Sequence, residues 1–135
     1  MRMLHPSVQE AAEDLWQSGD VAALSRRELE AALGSGAREA GLLVALYAPW
    51  CPFCQAMEGP YAELAAQLAG SGMGVAKFRA DTEREFAAAA FGLKTFPTIV
   101  LLPAGQGAGQ FVAYPSEKRD AETLGMWVRA LTGKP

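Results

Sequence analysis

The chain has 135 residues, a net charge of −3, and a composition that is 50% hydrophobic and 20% charged. This length suits one domain, and the composition is typical of a chain that buries a core, which excludes a disordered segment. The basic residues form no block, so we expect neither nucleic acid nor a membrane surface as a partner. The apolar stretch 41–49 is far shorter than the roughly 20 residues of a membrane-spanning helix.

The N-terminal region is expected to precede the domain. Apolar residues recur at helical spacing through residues 1–19, and Ser7 with Glu10 fits a capping box. The region carries acidic residues and lacks an uninterrupted apolar core, so no signal peptide is expected. We therefore predict an N-terminal helix and interdomain linker over residues 1–20, followed by a single α/β domain over residues 21–135.

Strands and helices are predicted to alternate along the rest of the chain. A short apolar run over 21–24 precedes a helix over 25–33, capped by Ser25. Residues 42–47 are unbroken hydrophobic sequence, the pattern of a central strand covered on both faces, and a helix pattern follows over 51–68. The later elements are a strand over 75–80, a helix over 82–91, a strand over 98–102, a glycine-rich loop over 105–109, an edge strand over 111–114 and a closing helix over 124–131.

This βαβαββα order predicts a mixed central sheet flanked by helices. Strands separated by a helix are expected to pair in parallel, and the tight last connection is expected to give an antiparallel hairpin.

The two cysteines of the chain, Cys51 and Cys54, lie where a buried strand gives way to a helix. The unpaired N–H groups and the dipole of a helix N-terminus favour an anion, which points to Cys51 as the attacking thiolate and the more exposed sulfur. Two intervening residues in a helical turn bring the sulfurs close enough for a redox-active disulfide. Pro52 fits the first turn, where its missing N–H costs nothing.

Other uses of the cysteine pair are less favoured. A closed zinc site needs four ligands, and the pair supplies two, while the one histidine, His5, is distant in sequence. An inert buried disulfide fits poorly with a position at a helix start. A metal cluster shared between two chains stays an alternative, but we expect no metal.

Four further residues are candidates for the site. Pro97 stands at the start of a strand, where either a cis or a trans bond from Phe96 is compatible with the sequence. Trp50 and Phe53 flank the cysteines and are expected to be exposed, either contacting a partner or lining the site.

A lysine and two acids near the predicted site have ordinary interpretations. Lys77 lies within the second strand, where it could point toward the cysteines or be a solvated edge residue, the more frequent case for a lysine. Glu58 and Asp81 are expected to be solvated.

The motifs at 48–54 (Ala-Pro-Trp-Cys-Pro-Phe-Cys), 77–81 and 96–98 resemble, in order, the landmarks of the thioredoxin superfamily. The resemblance covers nearly all of residues 21–131. It implies a thioredoxin fold, a cis Pro97 beside the cysteines, Cys51 as nucleophile, Cys54 as resolving cysteine and a supporting Lys77. The substrate- or glutathione-binding residues that it implies are Trp50, Pro52, Phe53, Phe96, Pro97 and Thr98.

A closer resemblance exists to the C-terminal domain of plant-type 5′-adenylylsulfate reductases, carried by residues 42–64, 75–81 and 114–120. It implies a glutaredoxin-like domain that takes electrons from glutathione and passes them to a preceding reductase domain, for sulfate assimilation and cysteine biosynthesis in the chloroplast stroma. No bound cofactor is expected here. In that family the iron–sulfur cluster belongs to the reductase domain, to which no part of this sequence is similar, so this chain alone is not expected to reduce adenylylsulfate.

The sequence also departs from both patterns. Ala45 stands where thioredoxins carry a buried acid, so Cys54 is expected to receive less help in losing its proton. Glutathione chemistry needs only Cys51, because a second glutathione can remove the mixed disulfide. The glycine–aspartate clamp by which ordinary glutaredoxins hold glutathione is not recognisable. A general thioredoxin, a protein-disulfide-isomerase-type domain and a non-catalytic docking module remain alternatives.

Overall fold

The computed structural model describes residues 16, 19–34, 37–38, 41–106 and 109–133. Apart from Trp16 and Gly19, the predicted N-terminal helix lies outside these residues, as does His5. Seven strands and five helices occur in the described part. They are β1 (Ala22–Ala23), α1 (Arg26–Gly34), β2 (Ala37–Arg38), β3 (Leu42–Tyr47), α2 (Pro52–Ala56), α3 (Glu58–Leu68), β4 (Gly74–Arg79), α4 (Arg84–Phe91), β5 (Thr98–Leu102), β6 (Gly105–Gln106), β7 (Val112–Ala113) and α5 (Ala121–Thr132).

The main sheet has five strands in the order β1-β4-β3-β5-β7 and is mixed, as predicted. β3 lies at its centre, pairs in parallel with β4 and antiparallel with β5, and is almost wholly buried. The hairpin of β5 and β7 is antiparallel, as predicted. β1 adds a strand beyond the predicted order at the edge beside β4, within the apolar run 21–24.

The orientation of β5 corrects the prediction that strands separated by a helix are parallel. Thr98, the first residue of β5, pairs with Leu46 near the end of β3. β4 also ends at that edge of the sheet, because Arg79 pairs with Tyr47. The chain therefore leaves the sheet at the end of β4, passes through α4 and the loop 92–97, and re-enters the sheet at the same end of the strands. As a result β5 runs antiparallel to β3 and β4.

The two faces of the sheet are covered by different helices. Along β3 successive side chains point to opposite faces, so Leu43, Ala45 and Tyr47 join one buried cluster and Val44 and Leu46 join the other. The first cluster contains both cysteines and the buried sides of α3 and α5, and the second contains those of α1 and α4. The site therefore lies on the α3/α5 side of the sheet.

The predicted helix over 51–68 is in fact two helices, divided at Met57. The backbone N–H of Met57 is shared between the carbonyls of Phe53 and Cys54, at 3.2 and 3.1 Å, as the first helix ends. Pro60 gives the physical reason, because a proline has no N–H for the carbonyl four residues earlier and its ring clashes with that carbonyl in a continuous helix. Pro60 instead occupies the first turn of α3, where it is tolerated.

Ser25 begins α1 as predicted. Its hydroxyl accepts the N–H of Glu28 at 3.1 Å, and the Glu28 carboxylate accepts the N–H of Ser25 at 2.8 Å, which is a reciprocal capping box. The glycine-rich loop is only partly a loop, because Gly105–Gln106 form β6 and pair with β2.

Candidate active site

The cysteine pair lies directly after the central strand. Past the end of β3 the chain turns through Pro49 and Trp50, and the N–H of Cys51 donates to the carbonyl of Ala48 at 3.1 Å. Cys51 is the N-cap of α2, with extended backbone angles (φ −82°, ψ 122°), and Pro52 is the first helical residue. This placement confirms the prediction that the pair spans a strand-to-helix junction.

The two sulfurs have different access to solvent. Both are free thiols, and the backbone N–H of Cys54 donates to Cys51 Sγ at 3.4 Å. Cys51 keeps 4% of its surface exposed and Cys54 none, so the prediction that Cys51 is the more exposed sulfur is confirmed. Both cysteines are buried, and Cys51 is the more accessible of the two.

Burial also sets the protonation of Cys54. Its loss of solvent raises the pKa of the Cys54 thiol to about 12, and the neighbouring Cys51 acts in the same direction. A hydrogen bond with the backbone of Ala48 and the positive charge of Arg119 act against this and lower the pKa. Near neutral pH Cys54 is therefore a thiol, able to donate a proton and poor as a nucleophile.

A cis-proline loop faces the cysteines. The Phe96–Pro97 bond is cis, which confirms the expectation drawn from the family resemblance. The thiol of Cys51 donates to the carbonyl of Phe96 at 3.5 Å, so this loop lies against the Cys51 sulfur. Thr98, just after the proline, is held by a hydrogen bond from its hydroxyl to the carbonyl of Thr95 at 2.8 Å.

The aromatic residues around the sulfurs are exposed, as predicted. Trp50 is 56% and Phe53 is 66% exposed. The Trp50 ring meets the Phe96 ring edge-to-face at 5.6 Å, and the guanidinium of Arg84 lies 5.2 Å from the centre of that ring. These rings form an apolar surface beside Cys51.

The two acids expected to be solvated have partners instead. Asp81 accepts the indole N–H of Trp50 at 2.9 Å and the Nε–H of Arg79 at 2.9 Å. Glu58 accepts the backbone N–H of Trp16 at 3.2 Å. The prediction was wrong because both acids meet groups distant in sequence, and only the Arg79–Asp81 spacing at the end of β4 gave a local signal.

Lys77 is buried, with 4% of its surface exposed, so its interpretation as a solvated edge residue was wrong. The reason is that β4 is an inner strand, covered at one edge by β1 and at the other by β3. Lys77 is the register partner of Ala45, and its ammonium donates to the carbonyl of Trp16 at 3.4 Å. It also lies 5.8 Å from the centre of the Tyr47 ring.

Trp16 is the residue of this region that the sequence analysis missed. Its ring is 1% exposed and packs on Tyr47 and Tyr61, with ring centres 4.8 and 4.9 Å apart. It belongs to the same buried cluster as Ala45 and the cysteines. An aromatic ring and a lysine thus occupy the surroundings of Ala45, the position at which thioredoxins carry an acid.

Within the described ranges, no three side chains of His, Cys, Asp or Glu group as a metal site. Zinc bound by four ligands therefore has no support in that part of the molecule. Nor does any helix there have the length and apolar character needed to cross a bilayer.

A C-x-x-C pair at the start of a helix, with a cis-proline loop against its first sulfur, defines a thiol–disulfide oxidoreductase domain of the thioredoxin fold. The thioredoxin family model matches residues 20–130, and the chain belongs to the thioredoxin family.

Curated relatives add a narrower relationship. The chain is 49% identical over 115 residues to 5′-adenylylsulfate reductase 1, chloroplastic, of Arabidopsis thaliana, covering 84% of this chain and 24% of that protein. It is 47% identical over 123 residues to the probable 5′-adenylylsulfate reductase 1, chloroplastic, of Oryza sativa subsp. japonica, covering 89% and 26%. Human protein disulfide-isomerase A2 is 35% identical over 133 residues, covering 95% and 24%. The chain thus spans about a quarter of the length of these relatives.

Solved structures show the same fold. Form II of ERdj5 superposes with a TM-score of 0.75 at 20% identity, covering 97% of this chain and 18% of that one. Chloroplastic thioredoxin z gives 0.66 at 24% identity, covering 82% and 93%.

Proposed function

We propose that this chain is a glutaredoxin-like redox domain that takes electrons from glutathione and delivers them to the reductase domain of a 5′-adenylylsulfate reductase. The identity of nearly half to chloroplastic enzymes of that name supports the partner and a place in the chloroplast stroma. In this proposal residues 1–20 are the helix and linker that join the two domains, and residues 21–135 are the redox domain.

The proposed reaction begins at Cys51. Its thiolate attacks a disulfide sulfur of the oxidised partner, a mixed disulfide forms, and the other partner sulfur leaves as a thiolate. Either Cys54 or glutathione then attacks the Cys51 sulfur and releases the reduced partner. Two glutathione molecules supply the two electrons of the cycle and leave as glutathione disulfide.

One observation carries the choice of glutathione. Cys54 is fully buried and has a pKa of about 12. The residue paired with Lys77 is Ala45, so this position has no carboxylate that could take the proton from Cys54. Attack by Cys54 is therefore slow near neutral pH, because only the thiolate is nucleophilic. A route in which glutathione removes the mixed disulfide needs no proton acceptor for Cys54.

The remaining site residues receive supporting roles in this proposal. Trp50 and Phe53 offer their exposed rings to the partner or to glutathione, and Pro52 keeps the start of α2 accessible. The loop Phe96–Pro97–Thr98 presents its backbone beside the reactive sulfur, as the contact with Cys51 supports. Lys77 supports the site from the buried side through its contacts with Trp16 and Tyr47.

The test is a turnover assay with a small mixed disulfide as substrate and two alternative electron sources, glutathione with glutathione reductase, or thioredoxin reductase with its nucleotide. We expect turnover with glutathione and little with thioredoxin reductase. Cys51→Ser should lower the glutathione rate at least about a thousandfold, because it removes the nucleophile. Cys54→Ser should retain glutathione-dependent turnover. Loss of that turnover in Cys54→Ser, or reduction by thioredoxin reductase alone, would contradict the proposal.

A second candidate is a general thioredoxin or a protein-disulfide-isomerase-type domain, which the 35% identity to protein disulfide-isomerase A2 favours. The reduction potential of the Cys51–Cys54 pair separates the candidates. A value of about −200 to −230 mV indicates a glutaredoxin, about −270 mV a thioredoxin and about −180 mV an isomerase.

A further inference from the structure

A well-anchored loop, residues 114–120, passes beside the cysteine site. The hydroxyl of Tyr114 donates to the carbonyl of Lys118, and the N–H of Lys118 donates to the hydroxyl of Ser116 at 3.0 Å. The Tyr114 ring packs edge-to-face on Trp127 at 5.1 Å. At the other end Asp120 caps α5 by accepting the N–H of Thr123 at 3.0 Å. The side chains of the loop are therefore presented from a backbone fixed at both ends.

Two cavities open on either side of this loop. The first, of about 290 Å³, lies between the loop and the start of the α2–α3 pair, with Phe53 and Met57 in its wall. The second, of about 220 Å³, lies between the loop and the cis-proline segment, with Pro97 and Thr98 in its wall. Each is large enough for one amino-acid residue of a peptide, and each is walled by a segment next to Cys51, the first by α2 and the second by the cis-proline loop.

Among the described residues, Glu117 and Arg119 alone line both cavities. Glu117 is exposed and Arg119 is half-buried. In the part of the chain that the structure describes, neither side chain forms a hydrogen bond or an ion pair, although the loop around them is rich in hydrogen bonds. Arg119 is also near enough to the cysteines for its charge to lower the pKa of Cys54. A negative and a positive side chain thus line the same two cavities, and the positive one lies close enough to act on Cys54.

We propose that Glu117 and Arg119 bind the amino-acid end of glutathione, with Arg119 on the α-carboxylate and Glu117 on the α-ammonium of its γ-glutamyl residue. The inference rests on the proposed glutathione function. It is favoured because the γ-glutamyl residue carries both charges on one carbon atom, which suits an acid and an arginine that line the same two cavities, whereas the glycine end carries a carboxylate alone. An arginine guanidinium suits a carboxylate because it offers paired donors. The pair would act in place of the glutaredoxin clamp that the sequence lacks.

The experiment measures the first step alone, in a Cys54→Ser background, so that any effect of Arg119 on Cys54 is removed. Reduced Cys51 attacks glutathione disulfide, a Cys51–glutathione mixed disulfide forms, and one glutathione leaves as a thiolate. The same step is measured with hydroxyethyl disulfide, which carries no charge. The ratio of the two second-order rate constants reports recognition of glutathione, because a general change in the reactivity of Cys51 affects both disulfides.

We expect Arg119→Gln and Glu117→Gln each to lower this ratio by about tenfold, since each removes a hydrogen bond between charged groups. The matched controls are Arg27→Gln and Glu63→Gln, which change the net charge equally but lie on exposed faces of α1 and α3. They should leave the ratio within about twofold, since screened surface charges act weakly at a distance. N-acetylated glutathione disulfide lacks the ammonium group. It should react more slowly than glutathione disulfide with the parent protein, whereas the two disulfides should react equally fast with Glu117→Gln.

The outcomes separate this proposal from the proposed function. A parent protein that reacts equally fast with the two disulfides would contradict the glutathione function itself. A parent protein that prefers glutathione disulfide, combined with an unchanged preference in both loop variants, would keep that function and overturn the assignment of Glu117 and Arg119. Equal losses in the loop variants and in the matched controls would likewise overturn it, because net charge alone would then explain the effect.

Discussion

The cysteine pair lies between two regions of opposite character, which we call the floor and the rim. The floor is the buried group Trp16, Ala45, Tyr47, Tyr61 and Lys77, and the rim is the exposed pair Trp50 and Phe53 together with the loop 114–120. The floor is closed by ring contacts and has an alanine where a proton acceptor could stand. The rim is open and carries aromatic rings and charges. Burial is the main cause that raises the pKa of Cys54, and we propose that the rim selects the molecule that reaches Cys51.

Trp16 is held in the core by its backbone as well as by its ring. Both backbone groups of Trp16 are used, the carbonyl by Lys77 and the N–H by Glu58, while its ring lies between two tyrosines. Three pairs of variants and one pH series test whether floor and rim differ in this way.

The largest effect is expected from removing the aromatic ring of the floor. Trp16→Ala should lower the free energy of unfolding by about 3–5 kcal/mol, because it leaves a cavity where a fully buried ring was. The matched rim variant Trp50→Ala should cost under about 1 kcal/mol, since half of that ring is already in water. Urea denaturation of both proteins measures this, and equal losses would refute the distinction.

A second pair of variants removes one tyrosine hydroxyl from the floor and one from the rim. Tyr61→Phe should cost about 1–3 kcal/mol, because its hydroxyl donates to the buried carbonyl of Ala76 at 2.6 Å and that acceptor would lose a partner in the core. Tyr114→Phe, which loses a hydrogen bond at the exposed rim, should cost at most about 1 kcal/mol, since water replaces the donor. Thermal unfolding gives both values, and a larger loss for Tyr114→Phe would argue against the comparison.

The pH dependence of the Cys54 step tests whether burial controls the protonation of this thiol. Burial holds the pKa of Cys54 near 12, above its ordinary value, so the thiolate fraction rises as pH rises toward that value. Release of glutathione from a preformed Cys51 mixed disulfide by Cys54 should therefore speed up about tenfold per pH unit between roughly pH 7 and 9. Stopped-flow measurement of that release, with no free glutathione added, follows it. A rate that levels off below pH 8 would show that the surroundings of Cys54 do not raise its pKa.

The smallest effect is expected at the anchor of the rim loop. Asp120→Ala removes the side-chain cap of α5 and should slightly lower the midpoint of urea denaturation. The capping carboxylate is favoured in its charged form, because hydrogen bonds with Thr123 lower the pKa of Asp120. Asp120→Asn, which can still accept the N–H of Thr123, should retain most of that stability, and equal losses in the two variants would exclude capping as the cause.

The local part of this structure was predictable from the sequence. The strands Leu42–Tyr47 and Thr98–Leu102 were predicted with their observed bounds, because a run of hydrophobic residues between turns marks a buried strand without help from the rest of the chain. The start of α2 at the cysteines followed from the same junction. The cis bond before Pro97 came from the family resemblance alone, since the sequence beside it is compatible with either isomer.

The long-range part was not predictable. The contacts of Trp16 with Lys77 and with Glu58 span 61 and 42 residues, and no periodicity encodes them. The burial of Lys77 depends on β1, a strand of two residues that is too short to show a pattern. The reversal of β5 depends on where the loop 92–97 re-enters the sheet. The division of the helix at Met57 could have been predicted from the sequence, because Pro60 forbids a continuous helix.

We propose that the Cys51 sulfur is reactive and that burial keeps Cys54 as a thiol. Timed alkylation of the reduced protein with iodoacetamide at pH 7.5, followed by mass spectrometry of the peptides, tests it directly. We predict that Cys51 is modified at least about a hundred times faster than Cys54, because the thiolate is the species that reacts. Equal rates, or earlier modification of Cys54, would contradict the account.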